Sequence, residues 1–262
     1  MCGAIPSSGR ASAAAGRAYT WDGMSKSYGH LIPSVERRLS TWVGINEPHA
    51  PSVPPGSRPT ITISRRFGCE GYPLSEQLKT LLDASTGETW NIFDKALLEM
   101  VSQDEHLSMK VLSDLGNPSS SADGIGFLVP GYLRQSEVFK HIPKYIIRIA
   151  QAGNAIIVGR GGAIITQKLA NCYHFRLEAD LEFRVAAMAR RLEIPEAEAR
   201  RLVKDNEKTR EKFLEDFLGG SLTDARIYDA VYNNAKHGVV EIAHSIVAYV
   251  TESWKKREAA RQ

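Results

Sequence analysis

The run TITISRRFGCEGYPLSEQLK, residues 60–79, constrains this chain more than any other stretch. Ile61 and Ile63 suit a short buried strand. Gly68 and Gly71 follow, where a chain without Cβ atoms can bring backbone N–H groups close to a ligand. Pro73 suits the first turn of a helix, where its missing N–H is not needed. Leu74, Leu78, Leu81 and Leu82 then repeat at helical spacing. Strand, glycine turn and helix N-terminus form a geometry that cradles phosphates. The same order also describes an ordinary strand-to-helix turn of an α/β protein. Laid over G-x-x-x-x-G-K-[ST] with Gly71 as the second glycine, the loop has Arg66 at the first glycine. Tyr72 then stands at the lysine and Pro73 at the hydroxyl. Lys79 lies about two helical turns (~10 Å) further along, too far to replace that lysine. The positive charge can come from Arg65 and Arg66, whereas Glu70 would repel phosphate unless a cation or an arginine pairs with it.

The rest of the chain alternates strands and helices. Residues 1–33 are rich in Ala, Ser and Gly and read as a disordered tail. Their composition also fits a transit peptide, and Met24 is an alternative start. Residues 34–46 hold an amphipathic helix, with Ser34 as N-cap and Gly44 as its end. Its apolar face, Val35, Leu39, Trp42 and Val43, must dock on this chain's core or on a second copy as a homodimer. Residues 47–59 are a Pro-rich linker. The globular domain is expected over 60–254, with a basic tail at 255–262. Within it strands are expected at 90–94, 155–158, 173–177 and 227–232. Helices are expected near 97–101, 104–115, 132–152, 181–192, 195–217 and 239–254, with Pro143 kinking or splitting the third. The last should bury Val240, Ala243, Ile246, Val247 and Val250. This alternation implies a parallel sheet covered on both faces.

Composition excludes more than it selects. A net charge of +3 over 262 residues argues for neither nucleic acid nor a membrane surface. No apolar run approaches membrane-spanning length. Cys2, Cys69 and Cys172 form no CxxC pair, which favours a reducing, cytoplasmic compartment. The histidines show no metal-ligand spacing, and His141, His237 and His244 read as surface or packing residues.

Ligands of open parallel sheets bind beyond the carboxyl ends of the strands. Three candidates sit there: the loop at 64–73, Asp94, and Gly159-Arg160-Gly161. An arginine between two glycines at a strand end can offer a planar fork to a phosphate, or simply occupy a tight turn. Lys208, Arg210 and Lys212 lie near one another on the charged helix. They form either a solvated face or a lid whose cations close over phosphates.

Three motifs occur in one order: Ser64-Arg65-Arg66-Phe67-Gly68, then Ile157-Val158-Gly159-Arg160-Gly161, then Glu207-Lys208-Thr209-Arg210 through Phe213, ahead of Tyr228-Asp229-Ala230-Val231. On these the chain from about Thr60 to Tyr249 resembles the cytidylate kinase-like family of P-loop proteins. The resemblance implies a three-layer α/β P-loop fold, a five-stranded parallel sheet with an inserted monophosphate-binding region and a lid. It implies that ATP with Mg²⁺ is the phosphoryl donor and a nucleoside monophosphate the acceptor. Arg65, Arg66, Gly68 and Gly71 would bind the ATP phosphates. Arg160 would hold the acceptor phosphate, with Asp94 and Glu207 also contacting the acceptor, and Lys208 and Arg210 would reach phosphate from the lid. The family's loop usually carries Gly-Gly and then a basic residue, where this chain has Glu70-Gly71-Tyr72. Val158 and Gly161 flank Arg160 where cytidylate kinases proper carry carboxylates, so cytosine selectivity is not implied. The alternative reading is a nucleotide-binding or interaction protein that keeps the fold without transfer.

Overall fold

The computed structural model describes Pro54 and residues 56–94, 135–218 and 223–260, with side chains left aside at 135–141 and 209–218. The expected helix at 34–46 and the helices at 97–101 and 104–115 lie outside these residues. β1 (Thr60–Arg65) leads to α1 (Gly71–Thr86) and β2 (Asn91–Phe93). After α2 (Gln135–Ala152) come β3 (Ala155–Val158), the short α3 (Gly162–Thr166) and β4 (Cys172–Glu178). Then follow α4 (Leu181–Leu192), α5 (Glu196–Leu218), β5 (Ala230–Asn233) and α6 (Val239–Ala259).

The strands form one five-stranded sheet in the order β2-β3-β1-β4-β5. Every pairing is parallel, with Ile63 beside Val158 on one side and Phe175 on the other. Both neighbours of β1 are therefore distant in sequence, and its carboxyl end lies between those of β3 and β4. That placement brings the loop after β1 and the turn after β3 side by side.

Side chains alternate across a strand, and here the two faces differ in kind. Ile61, Ile63, Ile156, Val158, Tyr173, Phe175 and Leu177 pack against Leu74, Leu78 and Leu82 of α1 and Ile242, Ile246 and Val250 of α6. The other face buries Thr60, Thr62, Ser64, His174 and Arg176. Its polar atoms are met locally: Thr60 Oγ1 donates to the Ala150 carbonyl of α2 at 2.9 Å, and Thr62 Oγ1 lies 2.8 Å from His174 Nδ1. Gly162, opening α3, packs against Ile157 and Thr62 on this same face. A smaller core joins Val185 and Met188 of α4 to Ala199 and Val203 of α5, with Phe67 of the loop packed on it.

Several expectations change. Pro143 sits inside α2 without splitting it. Val240 is 51% exposed. It lies two residues before the buried Ile242, about 200° around the helix, and so points away from the core. The last strand begins three residues later than expected. Residues 225–227 form a 3₁₀ turn, because the Asp224 carboxylate accepts the Arg226 backbone N–H at 3.0 Å and caps it. No helix among the described residues is long and apolar enough to cross a membrane.

Candidate phosphate site at the carboxyl edge of the sheet

The loop after β1 is held from below and from one side. The Arg66 N–H donates to the Leu177 carbonyl at 3.1 Å and the Cys69 N–H to the Arg66 carbonyl at 3.2 Å, closing a turn. Gly68 has φ +97°, and a Cβ there would meet Arg184 Cβ at 2.7 Å and the Arg184 carbonyl at 2.8 Å. Only glycine satisfies both conditions. α1 starts at Gly71 with no side chain capping it and no acid in its first turn. Its first backbone donors therefore face the carboxyl edge with the positive end of the helix dipole.

Glu70 does not face that opening with an unmet charge. Its N–H donates to Asn234 Oδ1 at 2.8 Å, and Asn234 Nδ2 donates to Glu70 Oε2 at 3.2 Å. Asn234 is buried just past β5. An amide thus holds Glu70 by hydrogen bonds, and among the described residues no cation pairs with it.

Arg65 and Arg66 are neighbours with opposite destinations, as alternation along a strand requires. Arg65 crosses to the α1 side. A Cβ on Gly71 would lie 3.1 Å from Arg65 Cδ, and a Cβ on Gly159 would run into the Arg65 guanidinium itself. Both glycines are therefore needed for close approach of this one side chain. Burial brings the Arg65 pKa down to about 10, with Asp94 acting to raise it and Arg160 and Arg191 to lower it. At neutral pH it stays charged. Arg65, Arg160, Arg191 and Asp94 are thus electrostatic neighbours, and Arg65 lies where the loop and the β3 turn meet.

The β3 turn has an unusual backbone. Gly159, Arg160 and Gly161 all have positive φ, at 79°, 51° and 70°. The Gly162 N–H donates to the Gly159 carbonyl at 2.9 Å, so Arg160 and Gly161 are the central residues of a tight turn of the primed kind. A left-handed arginine costs on the order of 1 kcal/mol. Strain held at a ligand-binding edge is a recognised mark of a functional turn.

Arg66 takes the other route, into a partly buried charge network. Its Nε donates to Glu178 Oε2 at 2.7 Å and its Nη1 to Glu207 Oε1 at 2.8 Å. Glu178 also accepts from Arg176 Nε at 2.5 Å, and Glu207 from Arg184 Nη1 at 2.9 Å. Arg184 further donates to the carbonyls of Phe67 at 3.3 Å and Ala179 at 3.1 Å. Two carboxylates thus link three arginines from the loop, β4 and α4 to α5. Burial would lower the Arg66 pKa, but Glu178 and Glu207 outweigh it and the net shift is upward. Glu207, expected at the acceptor, is occupied by these two arginines. Lys208 beside it is exposed. Arg210 lies on α5, and its side chain is outside the description. Lys79 Nζ bonds Asp83 Oδ2 at 2.6 Å and the Trp90 carbonyl at 2.7 Å, away from the loop.

The sequence reading omitted Arg176, Glu178, Arg184 and Asn234. One signal existed for two of them. His174, Arg176 and Glu178 alternate with Tyr173, Phe175 and Leu177, so one face of an interior strand is polar. Arg184 and Asn234 carry no such signal, since a helical arginine and a turn asparagine are ordinary surface residues.

A solved structure similar to this chain is that of an uncharacterized protein from Eubacterium ventriosum ATCC 27560. The two share 20% identity over 74% of this chain and 99% of that one, with a TM-score of 0.56, a likeness of fold. No curated protein matches. The profile of the cytidylate kinase-like family matches residues 60–236, more than half the chain, and its span takes in the loop after β1, the turn after β3 and Glu207; the chain belongs to the cytidylate kinase-like family.

Proposed function

We propose that the chain is a nucleotide kinase-like phosphotransferase that moves a phosphoryl group from ATP to a nucleoside monophosphate. The observation that carries this reading is the convergence of Arg65 and Arg160 where the glycine turns after β1 and β3 meet. Phosphoryl transfer needs positioning and charge neutralisation more than covalent help. Arg65 supplies a fixed charge where the loop has no lysine, beside the open N-terminus of α1. Arg160 supplies a fork for the acceptor phosphate, and Asp94, at the end of β2, lies near enough to act on Arg65. Among the described residues no three His, Cys, Asp or Glu side chains cluster to hold a metal. Mg²⁺ would therefore arrive with the triphosphate, whose oxygens and waters need only one or two carboxylates in addition. A cytoplasmic location fits the two buried free thiols, Cys69 and Cys172.

Calorimetric titration of Arg160→Lys with a monophosphate and with a non-hydrolysable ATP analogue tests the assignment. Losing the fork while keeping the charge should weaken the monophosphate about tenfold and leave the analogue nearly unchanged. Equal losses for both ligands would make Arg160 structural. A second reading, nucleotide binding without transfer, is favoured by Tyr72 and Pro73 at the lysine and hydroxyl positions. Thermal stabilisation by nucleotides with no turnover of any monophosphate would select it.

A further inference from the structure

We infer that the chain carries a second anion site at the opposite, amino-terminal end of the sheet, suited to a phosphate-type oxoanion. A cavity of about 260 Å³ lies between residues 167–170, which lead into β4, and residues 226–229, which lead into β5. Arg257, near the end of α6, completes its wall. The length of β4 separates it from the carboxyl edge by roughly 20 Å.

Three cations line this cavity, Lys168, Arg226 and Arg257, against one carboxylate, Asp229. Their states differ. Arg226 is bound through one edge of its guanidinium, Nε and Nη2, by the two oxygens of Asp224, so its charge is already balanced. Asp229 is committed to the fold: its Oδ2 accepts the His174 backbone N–H at 2.6 Å and its Oδ1 accepts the Tyr249 hydroxyl at 3.0 Å. Among the described residues Lys168 and Arg257 make no ion pair.

Arg257 is also held in place. Its Cζ stands 4.7 Å from the centroid of the Tyr173 ring, a cation–π arrangement. Its Nη1 is buried and has no hydrogen-bond acceptor among the described residues. A guanidinium fixed by stacking, with no ion pair among the described residues, is preorganised for an anion. Lys168, exposed in the same lining, adds a second, adjustable charge. The volume suits a phosphate, free or on a small molecule, and falls below the usual range for nucleotide-sized ligands.

The test uses the full chain, ¹⁵N-labelled, titrated with inorganic phosphate and separately with a small phosphomonoester, glycerol 3-phosphate. Saturable shifts are expected at the amides of Cys172, Tyr228 and Asp229, distinct from any at residues 68–71 and 159–161. They should persist in Arg160→Lys. They should weaken by about tenfold in apparent affinity in Lys168→Gln with Arg257→Gln. If the double variant does not fold, the exposed Lys168→Gln alone should show part of that loss. Tighter binding of the phosphomonoester than of phosphate would identify a carried phosphate, and the reverse the free ion. Shifts confined to the carboxyl edge, no shifts at all, or undiminished affinity in the charge variants would overturn the site.

Discussion

At the scale of single residues, one step along a strand separates two arginines into different roles. Arg65 is pressed against Gly71 and Gly159, at the meeting of the two glycine turns. Arg66 is spent on Glu178 and Glu207. Arg65→Ala should therefore abolish thermal stabilisation by nucleotides, whatever it costs the melting temperature of the ligand-free fold. Arg66→Ala should do the reverse. It should cost about 1 kcal/mol of stability, because Glu178 keeps Arg176 and Glu207 keeps Arg184, and nucleotide stabilisation should survive. Melting curves of both variants with and without nucleotide decide this, and matching behaviour would merge the two roles again.

Elements are joined here by charge as well as by apolar contact. Arg184 lies on α4 with its side chain 5% exposed, and it reaches both the loop carbonyl of Phe67 and Glu207 of α5. Removing a buried guanidinium with several partners should cost about 2–3 kcal/mol in chemical denaturation. Arg184→Ala tests whether the network braces the loop, because a loss well below 1 kcal/mol would show that the α4–α5 core suffices. The edge of the domain is also built by backbone bonds. The Gly56 N–H donates to the Gln151 carbonyl at 2.7 Å, Arg58 accepts from Asn171 Nδ2 at 2.8 Å, and Pro59 accepts from the Asn154 N–H at 2.8 Å. A chain truncated to begin at Pro54 should melt cooperatively. One beginning at Thr60 should melt lower, since the buried Asn154 and Asn171 lose acceptors. Equal melting temperatures would show that these bonds add nothing.

For the whole molecule, the polar face of the sheet makes stability depend on acidity. Burial lowers the His174 pKa from its ordinary 6.5, and Asp229 only partly opposes this. The unfolded chain therefore binds this proton more readily than the folded one. Stability from this group is intact above pH 6.5 and falls as pH drops from there through the folded value. The slope is at most about 1.4 kcal/mol per pH unit. His174→Gln should flatten the decline in melting temperature between about pH 6.5 and 5, and an unchanged decline would assign it to carboxylates instead.

The strands, the α/β class and the longer helices among the described residues were legible in local pattern, because alternation and helical spacing are properties of neighbouring residues. The glycines of both turns and Arg160 were legible for a related reason, since turn chemistry is local. The distinction between Arg65 and Arg66 was not, because it rests on contacts with Glu178 and Glu207, 112 and 141 residues away. Asn234 beneath Glu70, 164 residues distant, is of the same kind. Val240 was misjudged by a local rule applied without the packing that sets the helix's inward face. The sequence by itself thus determined which segments could line a phosphate site. The order of the strands decided which charges meet there, because a parallel sheet places strand ends side by side irrespective of their distance along the chain.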